Sequence, residues 1–181
     1  MSYLITCSGS KQIPTLLNPS SIDNLSFNDL LSSARKKIIL EWELESDNQL
    51  NWEKTLPAWK LYSGNRSVLY NRIEDENWTK PNSDIKILSA LFGWIKHTDK
   101  IPVYNLRMDD KIGGKRIFKF WESTGLLDEL ITEKDISLLS QNYLRALNSK
   151  NSIIKSEPDI EWLDRKGFHK GRWLNEQLSK L

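Results

Sequence analysis

The chain has 181 residues, 39% of them hydrophobic and 28% charged, with eight tryptophans and a formal net charge of +2. That balance fits one folded domain with a real core and excludes a disordered or collagen-like chain. No apolar run approaches the roughly 20 residues of a bilayer span and the start lacks a basic leader, so a cytoplasmic protein without a membrane partner is expected. Cys7 alone excludes an intramolecular disulfide, and two histidines exclude a multi-imidazole centre, so neither metal nor cofactor is expected.

In chain order, Tyr3-Leu4-Ile5-Thr6-Cys7 reads as a buried strand entering the polar loop Ser8-Gly9-Ser10-Lys11. Residues 12 to 24 carry Pro14 and Pro19 and read as irregular. Phe27, Leu30, Leu31, Ala34, Ile38 and Ile39 are spaced as a helix face, with Ser26 as the N-cap candidate. Glu45 to Lys54 reads as a polar loop or frayed helix end, and Trp59 to Gly64 as a short strand or turn before a helix through Val68, Leu69 and Ile73. Ile85 to Ala90 is a central strand, and Ile101-Pro102-Val103-Tyr104 is extended because proline disfavours helix. Gly113-Gly114 breaks the chain. Ile117 to Ile131 then suggests an amphipathic helix, or two interrupted at Gly125. Ile136 to Ser140 reads as a strand, Ser140 as the cap of a helix through Leu147, and Gly171 to Leu181 as the last helix.

Strands alternating with helices predict an α/β (mixed α+β) fold, a single compact domain with a central mixed sheet flanked by helices. One domain over 1–181 is expected, with 159–181 as its basic C-terminal helical element.

Charge is uneven along the chain. Glu41 to Asp84 holds nine acids and five bases, Lys96 to Lys119 seven bases and three acids, and Arg165 to Leu181 five bases and one acid. Lys115, Arg116 and Lys119 in one basic segment, with Arg165, Lys166, Lys170 and Arg172 in the other, are candidates for contacting nucleic-acid phosphates. His169 and Trp173 interleave the second group. Two solvated faces are the alternative. Phe118, Phe120 and Trp121 read as core rather than as a stacking platform.

Ser8, Ser10 and Lys11 follow a buried strand, where backbone N–H groups, hydroxyls and an ammonium can converge on a phosphate or carboxylate. The spacing of a P-loop is absent. Ser89, Gly93, Tyr104 and Arg107 form a second group, since α/β sheets place ligands beyond strand ends. Arg107 suits bidentate phosphate contact and Tyr104 base stacking. The alternative packs Tyr104, Leu106 and Met108 into the core with Arg107 towards solvent. Cys7 is weighed as a peroxide sensor against an inert buried cysteine.

Ile87-Leu88-Ser89-Ala90-Leu91-Phe92-Gly93-Trp94-Ile95, followed by Tyr104-Asn105-Leu106-Arg107-Met108, resembles the central signature of the peroxide stress protein YaaA family. Phe118-Lys119-Phe120-Trp121 is similar to its aromatic motif and Leu139-Ser140-Gln141-Asn142-Tyr143 to a later element. Cys7 to Lys11 takes the place of a Ser-Pro-Ala-Lys loop, and Lys170-Gly171-Arg172 is similar to a C-terminal basic segment. Asn105 and Arg107 depart from the family's Arg and Glu, and a helix-hairpin-helix motif is not visible. The resemblance implies an intracellular protein of the peroxide response that binds DNA, here double-stranded DNA through backbone contacts in a basic cleft. The alternative is a nucleotide- or nucleobase-binding enzyme using the Ser/Lys loop and the Tyr/Arg strand end. No recognisable catalytic motif decides whether the chain is an enzyme.

Overall fold

The computed structural model describes residues 1–148 and 167–181. Its centre is a four-stranded mixed sheet in the order Gly93–Lys96 (β4), Ile85–Ser89 (β3), Tyr3–Thr6 (β1) and Ile136–Ser137 (β8). Strand β1 (Tyr3–Thr6) runs parallel to β3 (Ile85–Ser89) on one side and to β8 (Ile136–Ser137) on the other. A parallel strand covered on both faces needs a continuous apolar run, which Leu4, Ile5, Ile85, Ile87 and Leu88 supply, all fully buried. Strand β4 (Gly93–Lys96) turns back antiparallel on β3, with Ser89 opposite Gly93. The Ser89 hydroxyl accepts from the N–H groups of Leu91 and Phe92 and so closes that turn. Gly93 has φ +64°, and an added Cβ would lie 2.9 Å from the Trp121 ring, so the turn demands glycine on both counts.

The long helix α1 is Asn28–Ser46, with Phe27 rather than Ser26 at its N-cap, one residue later than predicted. Ser26 instead gives its N–H and hydroxyl to the Asp99 carboxylate, at 2.9 and 2.7 Å. Phe27, at φ 62°, turns the chain into the helix. The buried face carries Leu31, Ala34, Ile38, Ile39 and Trp42 as the periodicity implies, and also the fully buried Arg35. Its guanidinium donates to the carbonyls of Phe92 (2.8 Å), Trp94 (2.7 Å) and Ser26 (2.8 Å), tying α1 to the β3–β4 turn. Burial pulls its pKa down to about 10, opposed by the nearby Asp99 carboxylate.

Strand β2 (Thr55–Pro57) pairs antiparallel with β5 (Lys100–Pro102). One helical turn follows, α2 (Ala58–Leu61), where the sequence suggested a strand or turn. The helix expected through Val68 and Ile73 is reduced to a 3-10 turn at Tyr70–Arg72, followed by the four-residue α3 (Asp75–Trp78). Aromatic stacking takes over the packing there. Trp59, Trp78 and Tyr70 lie nearly parallel, with centroids 5.8 and 5.5 Å apart. The hairpin of β6 (Lys111–Ile112) and β7 (Lys115–Arg116) turns through Gly113-Gly114. Helix α4 (Ile117–Thr124) ends at Gly125, at φ 68°. Ser140 stands at the N-cap of the short α5 (Gln141–Leu144) without a side-chain cap bond. Helix α6 (Gly167–Ser179) docks on the Tyr70–Arg72 turn through Gly171, where an added Cβ would overlap the Leu69 carbonyl oxygen.

His97, buried beside Trp78, directs Nε2 at the Trp78 carbonyl (2.9 Å) and Nδ1 at that of Ile85 (3.3 Å). Burial lowers its pKa from the ordinary 6.5 despite those carbonyls, so the unfolded chain takes up the proton first on acidification. Stability is therefore greatest with His97 neutral and falls as pH drops below about 6.5. Urea midpoints measured from pH 7.5 downward should show this fall in the native chain and a shallower one in His97→Gln. Equal slopes would remove His97 from the account.

Candidate functional site

The C-terminal ends of the parallel strands β1 and β3 open on one face of the sheet, where α/β proteins bind ligands. The chain leaving β1 forms the loop Ser8–Lys11, which folds onto the turn Gly64-Asn65-Arg66 that follows α2. The Ser8 hydroxyl accepts from the Ser10 N–H (3.1 Å), and the Ser10 hydroxyl from the Arg66 N–H (3.0 Å). Gln12 fastens the same junction, donating its N–H to the Leu61 carbonyl and its amide to Ser63. Between these segments lies an open cleft of about 860 Å³ whose wall includes Ser8, Ser10, Lys11, Arg66 and Arg107. Among the described residues its lining holds three cationic side chains and no carboxylate, so the field they set favours an anion.

Beneath the cleft lies a layer of hydroxyls. Tyr104 shares hydrogen bonds with Tyr62 (2.7 Å) and Ser89 (2.8 Å), and all three are buried. Tyr70 donates to the Thr6 carbonyl at 2.8 Å, and Tyr143 on α5 meets the Cys7 sulfur at 3.0 Å. Burial, reinforced by Cys7, pushes the phenols of Tyr62, Tyr70, Tyr104 and Tyr143 well above their ordinary pKa, so they stay protonated. The Lys11 ammonium lies 4.4 Å from the Tyr104 ring centroid and 5.7 Å from that of Tyr62. Burial lowers its pKa; Cys7 opposes that shift and Arg107 adds to it.

The structure thus brings together Ser8, Ser10, Lys11 and Arg107 and sets Ser89 and Tyr104 directly below them. Tyr104 is core, not an exposed stacking platform, while Arg107 is exposed. Gly93 packs against Trp121 inside the β3–β4 turn and takes no part in the cleft. The described residues of the basic segments do not join it. Lys115 lines a separate groove of about 400 Å³ between α1 and α4. Arg116 donates to the Asp109 carbonyl at 2.6 Å, and Lys119 pairs with Glu122 at 2.5 Å. Lys170 is buried, giving its ammonium to the carbonyls of Leu138 and Leu139 at 3.1 Å each, which removes it from any phosphate surface. Arg172 is exposed, 5.8 Å from the Phe168 ring that also carries Arg72 at 4.3 Å. Arg165 and Lys166 lie outside the described residues. Among the described residues no group of three or more His, Cys, Asp and Glu is placed to hold a metal ion.

Sequence reasoning missed Gly64, Arg66, Tyr62 and Tyr143. The Ser63-Gly64-Asn65 run is a turn signal that could have flagged the second wall. A Cβ added at Gly64 would stand 2.5 Å from Ser10 Oγ and 2.6 Å from the Lys11 nitrogen. Gly64→Ala should therefore cost about 1–3 kcal/mol through overpacking and displace the Ser8–Lys11 loop. Ligand affinity should then fall although no charge is removed. An unchanged melting temperature and affinity would show that the two walls are not in register contact.

A family model described as peroxide stress protein YaaA matches residues 12–167. That range includes Arg66, Ser89, Tyr104 and Arg107 and begins just after the Ser8–Lys11 loop. A UPF0246 protein of Legionella pneumophila (strain Lens) is 27% identical over 136 residues, covering 67% of this chain and 53% of its own length. One from Psychrobacter cryohalolentis is 27% identical over 140 residues, covering 70% and 52%. Another, from Clostridioides difficile (strain 630), is 34% identical over 101 residues, covering 50% and 39%. The chain spans about half the length of these curated relatives. Since the family model spans most of the sequence, including the strand-end turn and the Tyr104 to Met108 segment, the chain belongs to the peroxide stress protein YaaA family.

Proposed function

We propose that the chain serves the peroxide response by binding DNA, with backbone phosphates held in the cleft between the Ser8–Lys11 loop and the Gly64–Arg66 turn. The observation that carries this reading is the convergence of Lys11, Arg66 and Arg107 on one open surface, with no carboxylate lining it among the described residues. Exposed Arg172 and the Lys115–Arg116 hairpin extend the cationic surface elsewhere. Three neutralised phosphates give an affinity that falls with salt at a log–log slope of about −3. Duplex binding titrated from low to moderate salt tests it: a flat response, or no binding at low salt, would end the reading.

A smaller phosphorylated ligand, a nucleotide, is the second reading, favoured by the cleft's position at the ends of β1 and β3 and by its volume, within the usual ligand-pocket range of about 300–1,000 Å³. Thermal stabilisation by nucleotides that disappears in Lys11→Ala and Arg107→Ala would select it over DNA.

A further inference from the structure

Lys11 differs from Arg66 and Arg107 in its surroundings. None of the three makes a side-chain ion pair or hydrogen bond among the described residues, but the two arginines are exposed while the Lys11 ammonium is half-buried and rests on the Tyr104 and Tyr62 rings at the inner wall. Among the described residues Lys170, Lys86 and Lys80 are also drawn inward and are satisfied, the first by two carbonyls, the second by Asp135 and the Leu130 carbonyl and the third by the Leu178 carbonyl. A half-buried ammonium beside arginines, with no carboxylate partner among the described residues, costs more to keep charged than an exposed one. The direction of its pKa agrees, lowered by burial and by Arg107. The free amine is a nucleophile for carbonyl carbon.

We propose that Lys11 forms an imine with an aldehyde carried next to a phosphate, the phosphate being held by Arg66 and Arg107. In the step, Lys11 Nζ bonds to the aldehyde carbon and the C–O double bond opens. The nitrogen sheds two protons, relayed by water in the open cleft to the former carbonyl oxygen, which departs as water. Amine and aldehyde become imine and water, with no change of oxidation state and no co-reactant. Two sources offer this chemistry: the ring-opened sugar of an abasic site in DNA, and a free sugar phosphate. The inference rests on the reading that the cleft holds phosphate, and it deepens that reading from a charged surface to a site that selects damaged sugar.

The test is reductive trapping of the full chain with sodium cyanoborohydride, followed by peptide mapping. One arm uses a duplex with a single aldehydic abasic site and another uses glyceraldehyde 3-phosphate. A third arm measures plain binding of a duplex whose abasic site is the tetrahydrofuran analogue, which lacks the aldehyde. The expected result is a covalent adduct on Lys11 at least about tenfold above any exposed lysine, because an ordinary lysine is almost wholly protonated at neutral pH. Lys11→Arg should lose the adduct, and the native chain should bind the tetrahydrofuran duplex. If that variant fails to fold, the map of adducts on the native chain decides alone. Label spread evenly over exposed lysines such as Lys115 and Lys119, or no adduct while the tetrahydrofuran duplex binds, overturns the imine and spares the DNA reading. Trapping by glyceraldehyde 3-phosphate without duplex binding upholds the imine, assigns it to a free sugar phosphate and sinks the DNA reading. Neither trapping nor binding sinks both.

Discussion

Arg35→Met should destabilise the fold by about 3–5 kcal/mol, the largest stability effect expected from any single substitution considered, because it strands buried carbonyls rather than removing a surface charge. The guanidinium is fully buried and donates to three carbonyls, Nε to Phe92 and Nη2 to Trp94 and Ser26. Methionine keeps much of the volume and none of the donors. Asp99 also loses its neighbouring cation, though the Ser26 and Lys96 N–H groups still donate to it. Lysine at this position keeps one charge but lacks the planar fork, so Arg35→Lys should fall between native and Arg35→Met. Urea unfolding checks this: the midpoint should fall sharply while its slope stays constant. A loss within about 1 kcal/mol would mean that water replaces the guanidinium and that the β3–β4 turn does not depend on α1. The consequence reaches function, because the same turn positions Ser89 under the cleft.

The largest effect on binding should come from the pair Arg66→Ala and Arg107→Ala. Each side chain is exposed, so its removal leaves the core intact, and each neutralises at most one phosphate. The double variant should bind DNA about ten- to a hundredfold more weakly at low salt, with the salt slope reduced by about 2. The matched control is Lys115→Ala with Arg116→Ala on the β6–β7 hairpin, which stands on a different groove. Its loss should be several times smaller. The opposite ranking would move the interface to the hairpin and leave the cleft for a small ligand.

The strands were the most legible part of the chain. Tyr3–Thr6 and Ile85–Ser89 are apolar runs bounded by turn residues, and buried parallel strands admit little else. The fold class followed from their alternation with the α1 and α4 patterns. Short elements were less legible. Ala58–Leu61 is only one helical turn, and the packing around Trp59, Trp78 and Tyr70 is fixed by ring stacking between distant segments, which periodicity does not encode. Half of the candidate cleft was readable: a Ser/Gly/Lys loop after a buried strand, and an arginine in an alternating segment. The second wall was not, since Gly64 and Arg66 meet Lys11 only through tertiary contact. Lys170 shows the opposite failure. Counted as a basic residue it joined the surface patch, yet it shares a helical stripe with the buried Leu174 and Leu178, and that spacing marks it as inward-facing. Arg35 carried the same signal, four residues from both Leu31 and Ile39. A charged residue on an apolar stripe is better read as a core clamp than as a surface contact when carbonyl-rich turns lie nearby.

The claim that phosphates enter between the Ser8–Lys11 loop and the Gly64–Arg66 turn is tested most directly by amide hydrogen exchange with and without a duplex at low salt. The account predicts protection concentrated at residues 8–11, 64–66 and around Arg107, with the β6–β7 hairpin little changed. Protection at Lys115 and Arg116 with the cleft segments unaffected would contradict it.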